Sequence, residues 1–204
     1  MELGTIDRLT GDHDSAEDRF RAALRINSDA SDRNGRAWAR REIGTVRRIQ
    51  GRHTEAQDLL EEALEEFRSL HSERNIADVL VELCTLHRVK GEHAAARERG
   101  VAALRKYQKL GNLRGAAWAE VELGVVDART GEPTSAADRF ERTRTTYERI
   151  GDRSGAARVL LERGRLRLLQ GQDAAAREDL ERALSEYTDL GAAQVAEVRD
   201  LLGR

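Results

Sequence analysis

The chain has 204 residues, with 35 Lys and Arg against 37 Asp and Glu, a net charge of −2 that argues against a broad nucleic-acid footprint. It has no apolar run of 18 residues to span a membrane and no basic start followed by an apolar stretch to act as a secretory leader, so the expected location is cytoplasmic. One cysteine excludes an intramolecular disulfide and a Cys-rich metal site. One proline in the whole chain predicts an almost wholly helical fold.

In chain order, the sequence opens inside a unit: Glu2-Leu3-Gly4-Thr5 matches Glu42-Ile43-Gly44-Thr45, so a shortened first helix is expected. Gly11 follows, and Gly51, Gly91, Gly131 and Gly171 repeat it at intervals of forty residues. Seven residues before each glycine stands a small residue, Gly4, Gly44, Cys84, Gly124 or Gly164. Five after each comes Ala16, Ala56, Ala96, Ala136 or Ala176. Nine after each comes Phe20, Leu60, Gly100, Phe140 or Leu180, and twelve after, Ala23, Ala63, Ala103, Thr143 or Ala183.

Each unit reads as a helical pair. Ala39, Ile43 and Val46, then Val79, Leu83 and Leu86, then Ala119, Leu123 and Val126 recur at i, i+4, i+7, the apolar stripe of a first helix. The glycine stops that helix in a left-handed cap, and a second helix starts, with Pro133 in the first-turn position that tolerates its missing N–H. Second helices end near Leu110-Gly111, Ile150-Gly151 and Leu190-Gly191. The units run over about 1–30, 31–70, 71–110, 111–150 and 151–190, with a terminal helix at 192–203 in one continuous domain. Neither end reads as a polar cap, so the chain is expected to be part of a longer protein or to pair with another copy.

These residues resemble the tetratricopeptide repeat (TPR) superfamily in a long, 40-residue form. The match covers nearly the whole chain: the small residue, Gly seven later, then Ala, Phe or Leu, and Ala at five, nine and twelve. The resemblance implies an all-α, right-handed superhelix of about five helix-turn-helix units whose first helices line a concave groove. One position departs from the family. Where it often places an aromatic, three after the small residue, this chain has Asp7, Arg47, His87, Asp127 and Arg167. The joints and unit length look like the TPR tails of AfsR-like and MalT-like bacterial regulators and signal-transduction ATPases.

Beside the buried stripe of each first helix runs an adjoining strip at about 100° per residue. It reads Trp38, Glu42, Thr45 and Ile49, then Asp78, Glu82, Thr85 and Val89, then Trp118, Glu122, Val125 and Arg129, then Arg158, Glu162, Arg165 and Leu169. By resemblance this strip faces the groove. Glu42, Glu82, Glu122 and Glu162, with Glu2, form a ladder in register. It is either an acidic rail for a basic segment of a partner or a series of local pairs with Arg41, Arg48 or an arginine of the next unit. Trp38 and Trp118 are either binding anchors or caps on the seam between units.

His13, His53 and His93 are also in register, but adjacent helices lie about 8–10 Å apart, too far for ligands that zinc needs at about 2 Å; they read as turn-packing residues. Cys84 reads as a small packing residue. Phosphate-loop, serine-elbow and His-Glu-x-x-His motifs are absent, so no catalysis, metal or cofactor is expected. The expected function is a protein or peptide interaction module, with no direct nucleic-acid or membrane binding, in the sensor or scaffold part of a regulator. The alternative is a self-association scaffold working through its terminal helices.

Overall fold

A computed structural model describes residues 2–203. They form eleven helices and no strand: α1 Glu2–Thr10, α2 His13–Asp29, α3 Arg33–Ile49, α4 His53–Ser69, α5 Glu73–Val89, α6 His93–Lys109, α7 Leu113–Arg129, α8 Pro133–Arg149, α9 Arg153–Leu169, α10 Asp173–Asp189 and α11 Gln194–Leu202. The helices from α2 to α10 are all 17 residues long and start every twenty residues. A 40-residue unit is therefore two helices of equal length and two equal joints. The terminal helix begins at Gln194 rather than at 192. None of the described helices is long and apolar enough to cross a membrane.

The joints explain the regularity. The middle residue of each is left-handed: glycine at 11, 51, 91, 111, 131, 151, 171 and 191, with φ of 62–93°, but Ser31 (56°) and His71 (52°) at the two others. The residue after it then returns its N–H to a carbonyl five residues back, as Arg52 does to Arg47 at 2.9 Å and Asp152 to Tyr147 at 2.9 Å. This is the bond that satisfies a helix's last carbonyls. The same residue caps the next helix. Asp12, Asp32, Asn112 and Asp152 accept from the backbone N–H three residues on, at 2.9–3.1 Å. One residue thus closes one helix and opens the next, which leaves no room for a longer loop.

The helices gather into two compact units, residues 1–111 with α1–α6 and residues 112–204 with α7–α11. Within each, every helix packs against its chain neighbours, and alternate first helices also touch, α3 against α5 and α7 against α9. This all-α stacking of helical pairs is the TPR solenoid arrangement. The core is thin and made of the stripes read from the sequence. In the first unit Ala16, Phe20, Ile43 and Val46 are fully buried. In the second, Val121, Phe140, Tyr147 and Leu166 form one cluster, and Leu161, Leu180, Tyr187 and Val198 another.

Close approach of first and second helices depends on the small residue. A Cβ on Gly4 would sit 2.8 Å from the Phe20 ring, on Gly44 3.0 Å from Leu60, on Gly124 2.7 Å from Phe140 and on Gly164 2.8 Å from Leu180. The partner is always sixteen residues later. In the third copy Cys84 and Gly100 occupy these two places, and both are buried. The bulk has moved from the second helix to the first, which accounts for a glycine in the middle of α6.

Candidate functional site

The strip singled out from the sequence lies on α3 and α5 in the first unit and on α7 and α9 in the second. In the first unit it centres on Trp38, which is half-buried. Its ring meets Phe20 edge-on, with centroids 5.5 Å apart at 76°. The Arg41 guanidinium lies 5.8 Å above it. Arg41 also donates to Glu42 and, at 3.0 Å, to Asp78 on the next first helix. Burial opposes the Arg41 charge, but Glu42 and Asp78 outweigh it and hold its pKa above the ordinary arginine value. Tyr107 of α6 donates its hydroxyl to Asp78 at 2.5 Å. Arg8 of α1 approaches Glu42 at 3.3 Å, and Arg48 donates to Glu82 at 3.2 Å.

The second unit repeats the scheme with other residues. Arg158 donates to Glu122, whose carboxylate is 1% exposed. Burial works against the Arg158 charge, and Glu122 and then Glu162 overcome it, so its pKa is raised. Arg165 donates to Glu162 at 2.9 Å and also reaches Glu197 of α11. Trp118 is half-buried, in the place equivalent to Trp38.

Of the two arrangements weighed for the ladder, these contacts are the local arginine pairs and not an open acidic rail. Glu42, Glu82, Glu122 and Glu162 are all buried, at 1–9% exposure, and each has an arginine partner. Thr45 and Thr85 are buried too, their hydroxyls spent on the carbonyls of Arg41 and Val81 at 3.1 and 3.0 Å. Val125 belongs to the core beside Phe140. The physical reason is crowding: helices stacked on both sides of a first helix cover the strip next to its apolar stripe as well as the stripe itself. Each of these four carboxylates is less exposed than the arginine it pairs with.

The position where the TPR family often has an aromatic holds ionic contacts that the sequence reading missed. Asp127, fully buried, accepts from Arg139 and from Ser135, both at 2.7 Å. Asp7 takes Arg19 at 2.6 Å across the same twelve-residue spacing. In the last unit the charges are exchanged: Arg167 donates at 2.7 Å to Asp179, which also receives Arg163 through both oxygens at 2.6 and 2.8 Å. Arg47 turns back to Glu17 of α2, and His87 binds Glu92 at 2.6 Å. The i, i+12 charge complementarity was the available signal. These pairs link helices and belong to the scaffold rather than to an exposed site. His13, His53 and His93 each open a separate second helix. Among the described residues no group of His, Cys, Asp and Glu is placed to hold a metal ion.

The tetratricopeptide repeat family profile matches residues 1–69 and 115–189. None of the curated proteins matches this chain. Among solved structures, BtubC (BKLC) from P. vanneervenii is similar with a TM-score of 0.68 at 18% identity, over 97% of this chain and 81% of that one. A Rap protein complexed with Competence and Sporulation Factor gives 0.73 at 15% identity, over 98% of this chain and 62% of that one. The nearly identical TPR-like repeats of a putative kinesin light chain from Podosopora anserina give 0.62 at 16%, over 93% of both chains. At these identities the likeness is one of fold.

Proposed function

Since the chain belongs to the tetratricopeptide repeat family, we propose that it holds a segment of a partner protein on the first-helix face built around Trp38, Arg41 and Asp78. One observation carries this reading: Trp38 is held between Phe20, in a T-shaped contact, and Arg41, yet keeps part of its surface exposed, a rigid aromatic set among charges. Such residues dominate binding energy in interfaces. The Rap structure with Competence and Sporulation Factor lends support from a similar fold. Arg41 and Asp78 are exposed to similar extents, 14% and 19%, and pair with each other, so the face offers acceptors as well as donors to a partner segment rather than an acidic rail for a basic one.

Selection from a random peptide library displayed on phage tests the reading. Enriched peptides should bind the chain and lose at least tenfold in affinity to Trp38→Ala, with an unchanged helical circular dichroism spectrum. No enrichment, or enrichment indifferent to Trp38 and to Asp78→Ala, overturns it.

We further propose that the module serves in the cytoplasm as a sensor or scaffold part of a bacterial regulator. Support comes from the 40-residue units and their joints. A phosphate-loop ATPase or winged-helix segment encoded in the same open reading frame is the expected observation, and a frame encoding only an unrelated enzyme counts against it. A self-association role has one observation in its favour. Leu3 and Ile6 on α1 are 59% and 54% exposed, whereas their counterparts Ile43 and Val46 are buried. Light scattering should then show association that Leu3→Arg abolishes; a monomer at high concentration removes this reading.

A further inference from the structure

The first unit holds a cavity of about 350 Å³ between α4, α5 and α6, away from the Trp38 cluster. Its floor is Ile76 and Leu80 of α5, each 4% exposed, and its wall on α6 includes Ala102. At about 100° of turn per residue, Ile76 and Leu80 point about 200° away from Asp78 and Glu82. The cavity therefore opens on the side of α5 opposite the strip described above.

The equivalent places in other copies carry charge across this space. In α3 they are Arg36 and Arg40, which donate to Glu66 of α4 at 3.1 and 2.7 Å, and Arg40 also meets Glu62 at 2.9 Å. In α7 they are Ala116 and Glu120, and Glu120 takes Arg139 of α8 and lies 4.0 Å from Arg142. In place of Ala102, α4, α8 and α10 have Glu62, Arg142 and Arg182. Only the pair α5 and α6 joins two large aliphatic residues on the first helix to a small one on the second. A hollow of this volume falls within the range of small-ligand sites, about 300–1,000 Å³.

The rim has a sign. Arg68, Arg99 and Lys106 stand against Glu73 and the exposed Glu98. Lys106 is held by Glu73 at 2.7 Å. Arg68 pairs with Glu65 in an exposed contact of little worth, and Arg99 comes within 3.9 Å of Glu61. Two guanidinium groups thus border the apolar floor with weak commitments of their own, and the hydrocarbon stems of Arg99 and Lys106 add flexible apolar wall. The second unit has a cavity of about 360 Å³ in the same place, over Ala156 and Leu160. There the signs are reversed: Glu148, Arg153 and Glu186 replace Arg68, Glu73 and Lys106, and Asp152 adds another carboxylate.

We propose that the cavity over Ile76 and Leu80 binds a small amphipathic carboxylate. Its hydrocarbon part lies on Ile76, Leu80 and Ala102, where burial supplies affinity. Its carboxylate accepts from Arg99 and Arg68, and the planar guanidinium groups set its orientation. The site is separate from the face that holds a partner segment and does not depend on that reading.

The probe is sodium decanoate below its micelle concentration, titrated into the full chain labelled at Ile and Leu methyls and followed by NMR. The Ile76 and Leu80 methyl resonances should shift saturably. Decyltrimethylammonium, of equal chain length and opposite charge, should bind at least tenfold more weakly. Arg99→Gln should lose at least tenfold, and so should Ala102→Glu, which sets at the wall the residue type that α4 carries at Glu62. Both variants should keep the thermal midpoint. Ser185→Gln, in the second unit's cavity, should leave binding unchanged. Equal binding of the ammonium, shifts confined to other methyls, or binding that survives both first-unit variants overturns the proposal. Loss of decanoate binding in Trp38→Ala also overturns it, by moving the apolar contact to the other side of the first helices. A failed peptide selection sinks the partner-segment reading and leaves every one of these outcomes as it stands.

Discussion

Exchanging bulk between α5 and α6 tests the packing rule that builds every unit. In four copies a glycine of the first helix faces Phe or Leu sixteen residues later, with only 2.7–3.0 Å for an added Cβ. The third copy holds Cys84 and Gly100. Replacing Cys84 by Gly alone removes two buried atoms, about 1.5 kcal/mol at ~0.8 kcal/mol per methylene-sized group. It also places a glycine in mid-helix, at a further cost of about 1 kcal/mol. Gly100→Leu alone forces a side chain into space that Cys84 occupies; overpacking costs about 1–3 kcal/mol, offset by about 1 kcal/mol of helix propensity. The double variant recreates the Gly44–Leu60 arrangement. Leucine burial of about 2 kcal/mol and the propensity gain of about 1 kcal/mol then cancel the loss at position 84. The single changes should thus sum to about 3.5 kcal/mol, and the double should lie near zero, a coupling of about 3.5 kcal/mol. Urea unfolding of the four proteins measures it. Additivity within about 0.5 kcal/mol would refute the rule.

The joints give a second test: Ser31→Gly and His71→Gly, at φ of 56° and 52°, should each raise stability by about 1 kcal/mol, while Gly51→Ala should lower it similarly, as read from urea midpoints. Asp179→Ala removes the carboxylate shared by Arg163 and Arg167 and should cost about 3–5 kcal/mol, against almost nothing for Glu178→Ala on the exposed face. Tyr107, Tyr147 and Tyr187 are pushed above the ordinary value of 10, first by burial and, for Tyr107, also by Asp78. Their neutral form is favoured in the folded state, so their contribution is complete below pH 10 and is lost as pH rises beyond it. Phenolate absorbance near 295 nm should therefore appear together with loss of helical signal; phenolate absorbance at pH 11 in a chain that keeps its full helical signal would contradict this.

Much of the scaffold was legible because it depends on local chemistry repeated at fixed spacing. Gly51 and Gly91 announce left-handed caps, Pro133 a first helical turn, and Ile43 and Val46 a buried stripe, each from its own residue type and period. The sixteen-residue complementarity of glycine with Phe or Leu was visible as two separate series, but its meaning needed the helices to be brought together. The strip of Glu42, Glu82, Glu122 and Glu162 was legible as a register and not as an environment. Nothing in the spacing says whether a carboxylate beside an apolar stripe will face water or a neighbouring unit.

Periodicity and the breakers along the chain determine where helices start, stop and turn their apolar sides, because those choices are made within a few residues of backbone. Which side chain ends above which was decided by the stacking of helices far apart in sequence. That stacking buried the glutamates, laid Arg41 across Trp38 and onto Asp78, and left a cavity over Ile76 and Leu80. Desolvation and charge pairing depend on all the neighbours of a group at once, and those neighbours exist only once the helices are packed.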